Sequence, residues 1–215
     1  DPEIKKDLGD ALLFEGTINH EYPKCWRCDT PLLQLSIPQW FFGATQFRDE
    51  LLNHNEDVNW VPDWAGQKFH EWLEQLGDWP VSRQRYWGIP LPIWECDECD
   101  HTKVIGDRSE LPEVPDDLHR PYIDEVKLDC EECGGEMTRI PDVLDVWFDS
   151  GVAPWASLKH PEVDFTFEEE GPVDLELEGF DQIRGWWNSQ FITSQMTYGE
   201  RPFDNVLYHG KVMLE

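Results

Sequence analysis

Residues 173–179 read Val-Asp-Leu-Glu-Leu-Glu-Gly, and this alternation of apolar and acidic side chains predicts a β-strand. Asp181 follows and is predicted to cap a helix, which should end near Gly199 because Pro202 lies just beyond it. The apolar positions of that helix include Ile183, Trp186, Trp187, Phe191 and Ile192. Residues 206–210, Val-Leu-Tyr-His-Gly, predict a second strand.

A strand, a helix and a second strand in this order form a βαβ unit, so the two strands should be parallel with a right-handed crossover. In an open α/β sheet, ligands bind beyond the carboxyl ends of the strands. The residues alone leave two interpretations open there, a small-molecule site or a solvated turn with a capping aspartate. The residues at these ends are Glu178, Gly179, Asp181 and Gln182 after the first strand, and His209 and Gly210 after the second.

Length and composition limit the classes of protein that this chain can belong to. Its 215 residues correspond to one large domain or two small ones, and 12 Trp and 11 Phe are enough for a bulky core. The chain has no apolar run near 18 residues, so a membrane span is excluded. No apolar segment follows residues 1–6, and we therefore expect no signal peptide and a cytoplasmic location. The missing initiator Met and the abrupt end after an apolar run lead us to expect a piece of a longer chain.

The net charge is −28, from 45 Asp and Glu against 17 Lys and Arg. Such a chain repels nucleic acid phosphates unless its few cations are clustered. An aromatic content of 13% argues against disorder, the ordinary explanation of strong acidity. Because the carboxylates are spread over every segment, we expect adaptation to molar salt, where screening removes most of the self-repulsion.

Six cysteines form three Cys-x-x-Cys pairs, of which two lie tens of residues apart and predict a four-thiolate zinc site. These two pairs are Cys96 with Cys99 and Cys130 with Cys133, and Gly134-Gly135 supplies the positive φ that such a turn often needs. With four thiolates there is no open position for substrate, so the role is structural. Redox-active or merely buried thiols are the alternative. The polar segment 100–129 between the pairs is predicted to be a flexible loop.

Cys25 and Cys28 form the third pair, and the chain offers no fourth pair to complete a site with them. Their partner ligands are either His or carboxylate side chains, or they lie outside this sequence. We favour the second explanation, which makes this pair half of a zinc site.

Further elements are predicted from local patterns. We expect a short helix over residues 3–14, a buried strand at 40–42, a helix at 47–52 and an amphipathic helical stripe over 69–76 that ends at Gly77. The domain boundaries that we predict are 1–45, 46–93, 94–140 for the zinc ribbon, and 141–215.

Several motifs occur together in a characteristic order. Residues 82–90 read Ser-Arg-Gln-Arg-Tyr-Trp-Gly-Ile-Pro, residues 145–151 read Asp-Val-Trp-Phe-Asp-Ser-Gly, residues 178–186 read Glu-Gly-Phe-Asp-Gln-Ile-Arg-Gly-Trp, and residues 205–210 read Asn-Val-Leu-Tyr-His-Gly. With the Cys25 segment, this order resembles the isoleucyl-tRNA synthetases, a family of class I enzymes, over roughly residues 20–213. The valyl relatives tend to carry a Trp-Phe-Ser-Ser variant, so a fragment of a valyl-tRNA synthetase is the less favoured alternative.

The resemblance implies an α/β fold, namely the second half of a Rossmann-type catalytic domain with a zinc-ribbon insertion and the tail of an editing (connective) insertion. The family's HIGH and KMSKS motifs and its threonine-rich editing pocket are not in this sequence. We therefore expect the fragment to be inactive alone. In the family, the partner of the Cys25 and Cys28 pair is a cysteine pair earlier in the insertion.

The resemblance also implies roles for individual residues in activating isoleucine with ATP and charging tRNA(Ile). Trp147 and Trp186 would wall the pocket for the isoleucine side chain, unless they are ordinary core residues, and Glu178 would hold the substrate ammonium group. Three residues would receive the ribose or carboxyl region of the adenylate, and these are Gly179, Asp181 and Gln182. His209 and Gly210 would lie against adenine. None of these residues is a proton-transfer catalyst.

The remaining expectations concern partners. Arg83 and Arg85 approach the tRNA acceptor end or, as we favour, form salt bridges with the abundant carboxylates. The full-length enzyme would bind zinc, ATP, isoleucine and tRNA(Ile), with no membrane contact and as a monomer. The alternative from a different class of function is a self-contained zinc-ribbon interaction module.

Overall fold

Two stretches of the chain fold as separate units in the computed structural model, which describes residues 2–164, 166–211 and 213. These units are Asp1–Pro38 and Gln39–Glu215. The boundaries predicted at residues 45, 93 and 140 remain predictions, and Leu214 and Glu215 lie outside the described residues. Within the described part of the chain, no helix has the length and apolar character needed to cross a membrane.

The described residues form six α-helices and eleven short strands. The helices are α1 Pro2–Leu8, α2 Arg48–Glu56, α3 Asp63–Glu74, α4 Val146–Gly151, α5 Ala153–Ala156 and α6 Trp186–Tyr198. The strands are β1 Phe41–Phe42, β2 Asn59–Val61, β3 Trp79–Pro80, β4 Ser82–Arg83, β5 Ile93–Cys96, β6 Thr102–Val104, β7 Leu128–Asp129, β8 Glu136–Arg139, β9 Val143–Leu144, β10 Glu176–Gly179 and β11 Asn205–His209.

The first unit has little core, because every described residue from 3 to 38 is exposed except the half-buried Cys25. The helix predicted over residues 3–14 is shorter, since α1 ends at Leu8 and a 3₁₀ turn follows at Gly9–Ala11. Gly9 has a φ of 46°, a left-handed conformation that ends an α-helix.

The second unit is built on a three-stranded parallel sheet in the order β10-β11-β2. Gly179 pairs with His209, so the two predicted strand ends lie side by side. The predicted βαβ unit is confirmed, with α6 as its helix. The third strand, β2, is not predicted by the sequence patterns and pairs in parallel with β11.

One face of this sheet is covered by α2, α3 and α6, which share a core with it. The large aromatic residues of that core are Trp60, Phe69, Trp187, Phe191 and Phe203. On the opposite face Leu177, Leu207 and Val61 lie in register and are 53%, 38% and 46% exposed. Parallel sheets are normally covered on both faces, so this row is an uncovered apolar surface within the described residues.

Helix α6 ends as predicted, because Gly199 has a φ of 72° and closes its last turn. Its start differs from the prediction that Asp181 caps it. Residues Phe180–Arg184 form a 3₁₀ turn instead, and the non-helical residue Gly185 separates this turn from α6. The side-chain oxygen of Gln182 accepts a hydrogen bond from the backbone N–H of Trp186 at 2.8 Å, so Gln182 supplies an acceptor for one of the free N–H groups in the first turn of the helix.

The segment between the two cysteine pairs is packed rather than a flexible loop, so that prediction is wrong. It contributes β6 and β7 to an antiparallel sheet in the order β6-β5-β8-β7. On either side of its proline-bearing middle, the segment buries the apolar side chains Ile105, Leu111, Ile123 and Val126, which pack with Trp94 and Met137. These apolar residues give the segment its own small core.

The other predicted elements are largely confirmed. Of the helix predicted at 47–52, α2 contains residues 48–52, and Phe47 ends a 3₁₀ turn before it. Helix α3 carries the predicted apolar stripe up to Leu73 but ends at Glu74, before Leu76 and Gly77. The strand predicted at 40–42 is present as β1, which pairs with β3. It is not fully buried as expected, because the side chain of Phe41 is 56% exposed.

Glu176 is a buried carboxyl group in this fold. The residue is 5% exposed, on β10, and its Oε2 accepts a hydrogen bond from Gln190 Nε2 at 3.1 Å. Burial raises the pKa of Glu176 to about 7, and the nearby charge of Glu178 acts in the same direction. The folded state therefore holds a proton that the unfolded chain releases near pH 4.5, so stability falls as pH rises from the unfolded pKa through the folded one.

Replacing this carboxyl group by an amide should remove that pH dependence. We expect Glu176→Gln to gain about 1–2 kcal/mol in unfolding free energy relative to the unmodified chain on going from about pH 5 to about pH 8. Urea unfolding of both chains at the two pH values measures the change. Glu56→Gln is the control, since Glu56 is exposed on α2. An equal stability difference at both pH values would show that Glu176 does not titrate in this range.

Candidate functional site

The carboxyl ends of β10 and β11 border a cavity of about 300 Å³. All six residues predicted at the strand ends line it together. The full lining is Glu178, Gly179, Phe180, Asp181, Gln182, His209, Gly210, Lys211 and Met213. The parallel pairing of the two strands produces this arrangement, because it brings both polar ends to the same edge of the sheet.

Gly179 lies where this edge leaves little room for a side chain. A Cβ at that position would be 3.0 Å from Asp181 Oδ1 and 3.7 Å from His209 Cε1. Gln182 Nε2 donates to the other carboxylate oxygen of Asp181 at 3.1 Å, and His209 Nδ1 donates to the carbonyl of Gly210 at 2.7 Å. The edge therefore presents a Gln182 amide and a His209 imidazole that are each bonded to the backbone, and an Asp181 carboxylate that is bonded to the Gln182 amide.

Lys211 and Phe180 line the same cavity and were not singled out by the sequence patterns. The Lys211 ammonium lies 5.3 Å from the centre of the Phe180 ring, a cation–π contact. The signal that could have found Lys211 is its position directly after the predicted strand end, in a chain with few cations.

A second cavity, of about 370 Å³, lies between α3, α4 and α6. Trp147 lines it together with Trp79, Asp145 and Gly185. Gly185 lines this second cavity and lies close to Gln182 of the first, since a Cβ on Gly185 would be 2.6 Å from Gln182 Oε1 and 3.2 Å from the Trp147 ring. Only a glycine allows the Trp147 ring and the Gln182 amide to approach the same backbone so closely.

Trp186 is not among the residues that line either cavity. Its indole N–H donates to the carbonyl of Ser150 at 2.7 Å, which ties the start of α6 to α4. That Trp147 and Trp186 wall one pocket therefore stays a prediction.

Asp145 connects several of these elements through a carboxylate whose side chain is only 5% exposed. Its Oδ2 accepts from the indole N–H of Trp79 at 3.0 Å and from the Arg83 guanidinium at 2.8 Å. Its Oδ1 accepts the backbone N–H of Trp147 at 3.3 Å. The favoured interpretation of Arg83 as an ion-paired residue is confirmed, whereas Arg85 is exposed.

Four cysteine sulfurs converge at one end of the antiparallel sheet. The sulfurs of Cys96, Cys99, Cys130 and Cys133 all lie within 4.8 Å of one another, with Cys96–Cys133 at 3.5 Å and Cys99–Cys130 at 3.7 Å. A tetrahedral zinc with bonds of about 2.3 Å places its sulfurs about 3.8 Å apart. These thiols could hold a metal ion, and the distances are too long for disulfide bonds.

Each pair sits in a tight turn whose amides point at sulfur. The N–H of Glu98 donates to Cys96 Sγ and the N–H of Gly135 donates to Cys133 Sγ, both at 3.4 Å. The positive φ expected after Cys133 is found at Gly134, at 76°. The local backbone thus prepares both pairs to bind the same ion.

The pKa values of two of these thiols are shifted in opposite directions by their surroundings. Burial disfavours the Cys130 thiolate, but the backbone N–H groups of Cys133 and Glu132 outweigh it and lower the pKa of Cys130 to about 6. The backbone N–H of His101 favours the Cys99 thiolate, yet the neighbouring sulfurs raise the pKa of Cys99 to about 12. All four groups could be thiolates together only with a bound cation to offset the repulsion between sulfurs this close to one another.

Cys25 and Cys28 also lie in a tight turn, in which the N–H of Asp29 donates to the carbonyl of Cys25 at 2.8 Å. Asp29 has a φ of 57°, as a turn after a cysteine pair requires. Among the described residues, no third cysteine, histidine or carboxylate joins this pair in a metal-binding group. The half-site interpretation stays a prediction.

Comparison with known proteins gives a consistent result. The family model described as "tRNA synthetases class I (I, L, M and V)" matches residues 29–215. Isoleucine--tRNA ligase of Methanosarcina acetivorans is 48% identical over 97% of this chain and 20% of its own length. Isoleucine--tRNA ligase of Saccharolobus solfataricus is 48% identical over 96% of this chain and 21% of its own length. The chain thus spans about a fifth of the curated relatives it matches.

A solved structure supports the fold alone. The apo form of Mycobacterium tuberculosis methionyl-tRNA synthetase aligns with a TM-score of 0.52 and 20% sequence identity. The alignment covers 88% of this chain and 30% of that protein.

Proposed function

The chain belongs to the class I tRNA synthetases of the isoleucine, leucine, methionine and valine group, and we propose that it is the segment of an isoleucine–tRNA ligase that holds the aminoacyl-adenylate. The observation that carries this proposal is the convergence of the six strand-end residues on one cavity. The relatives that match nearly the whole chain are isoleucine ligases, which supports isoleucine over valine as the substrate.

In this proposal the strand ends position the reactants and stabilise charge. Glu178 binds the ammonium group of isoleucine through a charge-assisted hydrogen bond. Gly179 lets the adenylate approach the backbone, since a Cβ there would crowd the Asp181 carboxylate. Asp181 and Gln182 receive the ribose or carboxyl region. Since none of these groups transfers a proton, the rate gain comes from orientation and electrostatics.

Adenine lies against His209 and Gly210 in the same proposal. The His209 ring is exposed and is held by its hydrogen bond to the carbonyl of Gly210, so it offers a fixed surface beside the cavity. ATP is the substrate that supplies this adenine.

The isoleucine side chain is proposed to pack against Trp147 and Trp186. Flat aromatic surfaces bury a branched aliphatic group well, at about 25 cal/mol per Å² of apolar area. The 370 Å³ cavity beside Trp147 and Gly185 supports this placement for Trp147. Isoleucine and valine differ by one methylene, so an apolar pocket binds isoleucine only modestly better than valine. This family of enzymes is itself the standard example of that limit.

Zinc is the ion that we propose for the four-cysteine cluster, because four thiolates in a tetrahedron suit it. It would hold the antiparallel sheet of residues 93–139 together as a zinc ribbon, and it has no open position for a substrate. Cys25 and Cys28 are proposed as half of a second site.

The uncovered sheet face supports the proposal that the full-length ligase supplies more of the catalytic domain. Leu177, Leu207 and Val61 would be covered there, as in other parallel sheets. The described part would then be the second half of a Rossmann-type domain after the tail of an editing insertion, inactive alone. The full-length ligase is proposed to be a cytoplasmic monomer that charges tRNA(Ile).

Calorimetric titration of the full-length ligase with adenylate analogues tests this proposal. We expect a non-hydrolysable isoleucyl-adenylate to bind far more tightly than the valyl analogue or adenosine alone. Tighter binding of the valyl analogue would favour a valyl-tRNA synthetase. Binding of neither analogue, together with capture of a protein partner by the 215-residue chain alone, would favour the zinc-ribbon interaction module.

We propose that the protein is adapted to molar salt, because it has too few Lys and Arg side chains to offset its carboxylates and its net charge is −28. We expect the melting temperature of the chain to rise by about 10 °C or more between about 0.1 M and about 3 M KCl, because screening removes carboxylate repulsion. Differential scanning calorimetry at several KCl concentrations measures it. A chain that is most stable in dilute buffer would contradict this proposal.

A further inference from the structure

We propose that Asp145 is a positioning residue that sets the place of Trp147 in the amino acid pocket. This inference rests on the proposed function, and it concerns a residue that lies outside the strand-end cavity. Asp145 has a buried carboxylate that joins three parts of the chain, and each contributes one hydrogen-bond donor to it. The donors are the indole N–H of Trp79 on β3, the guanidinium of Arg83 on β4 and the backbone N–H of Trp147 in α4.

The contact with Trp147 is local and directional. Asp145 precedes α4, and its Oδ1 and its backbone carbonyl accept the N–H groups of Trp147 and Phe148, at 3.3 and 2.9 Å. This fixes the first turn of α4 and with it the backbone from which the Trp147 ring extends. At the far end of that ring, Cη2 lies 3.2 Å from the position of a Cβ on Gly185. The Trp147 ring thus extends from a fixed first turn of α4 and ends close to the Gly185 backbone.

The negative charge of Asp145 is needed for this arrangement. Both donors to Oδ2 lie on β3 and β4, and one of them is the Arg83 guanidinium, which is the charged partner of this buried group. An asparagine in the same place would put its N–H₂ group either against Trp79 and Arg83 or against the N–H of Trp147, and the donors that it faces would lose their acceptor. The side chain would then move, and the first turn of α4 would move with it.

The cavity beside Trp147 connects this network to the substrate. Trp79, Asp145, Trp147 and Gly185 all line it. A shift of the Trp147 ring changes the volume open to an aliphatic side chain, whereas the ATP-binding strand end at His209 and Gly210 belongs to the other cavity. The inference therefore predicts an effect on isoleucine binding that spares ATP binding.

Steady-state ATP–pyrophosphate exchange by the full-length ligase tests this with Asp145→Asn. We expect the KM for isoleucine to rise about tenfold, the loss expected for one charge-assisted hydrogen bond, with the KM for ATP unchanged. Asp142→Asn is the matched control, since Asp142 lies three residues earlier and accepts from Gln84 at the surface. A merely structural role would reduce the fraction of active enzyme and lower kcat without changing either KM.

A second variant keeps the inference testable if Asp145→Asn fails to fold. Trp79→Phe removes one donor to Asp145 and preserves an aromatic ring, so we expect about a threefold rise in the KM for isoleucine. An unchanged KM for isoleucine in a folded, active variant would overturn the role of Asp145 and leave the proposed function standing. An unmodified ligase without any isoleucine-dependent exchange would overturn the proposed function and this inference together.

Discussion

Replacing Cys130 with serine is expected to abolish metal binding by the chain and to unfold the antiparallel sheet around it. Cys130 is 3% exposed and packs in the core of that sheet with Trp94 and Met137. Serine offers no thiolate, and the three remaining cysteines leave the tetrahedron incomplete. Structural zinc sites contribute about 10–16 kcal/mol of apparent binding free energy to folding, so their loss removes the ordered sheet.

Metal content and secondary structure measure this effect on the purified chain. We expect about one zinc per unmodified chain by plasma mass spectrometry and almost none in Cys130→Ser. Cys28→Ser is the matched control, because Cys28 lies in a similar turn but outside the four-sulfur cluster. Full zinc occupancy in Cys130→Ser, or its loss in Cys28→Ser, would contradict the assignment.

Replacing Glu178 with glutamine is expected to weaken isoleucine binding by about 10- to 100-fold in the full-length ligase. The Glu178 carboxylate lies half-buried at the end of β10, on the rim of the strand-end cavity. A charge-assisted hydrogen bond to an ammonium group contributes about 1.5–3 kcal/mol, which corresponds to this range. The amide keeps the shape of the side chain and removes only its charge.

Pyrophosphate-exchange kinetics separate this effect from a general loss of activity. The KM for isoleucine should rise while the KM for ATP stays constant. Glu176→Gln is the matched control, since it lies two residues earlier on the same strand and is buried against Gln190, away from the cavity. Similar changes in both variants, or a change in the KM for ATP alone, would place the ammonium group elsewhere.

Local patterns were sufficient for the elements that have strong local causes. The βαβ unit followed from strict alternation before Gly179 and from Gly199 at the end of α6. Strand β2 was missed because its three residues, Asn59–Val61, are too short to show a period and form only by pairing with β11. The packed segment 100–129 was misjudged because its buried apolar residues are scattered among prolines and charges.

The candidate site likewise has one part that local patterns predict and one part that they do not. Parallel strands bring their carboxyl ends to one edge, so the six strand-end residues could be predicted together. The hydrogen bonds of Asp145 could not, because Trp79 and Arg83 lie more than sixty residues earlier in the chain. Contacts of that sequence separation depend on how the β3 and β4 segments pack against α4, which no local pattern encodes.

Amino acid specificity in ATP–pyrophosphate exchange is the measurement that tests the central claim most directly. The full-length ligase that contains this segment would be assayed with isoleucine, valine, leucine and methionine. We predict the highest kcat/KM for isoleucine and a lower kcat/KM for valine, which lacks one methylene; this enzyme family is itself the standard example of such limited discrimination. A preference for any of the other three amino acids, or exchange with none of them, would contradict the account.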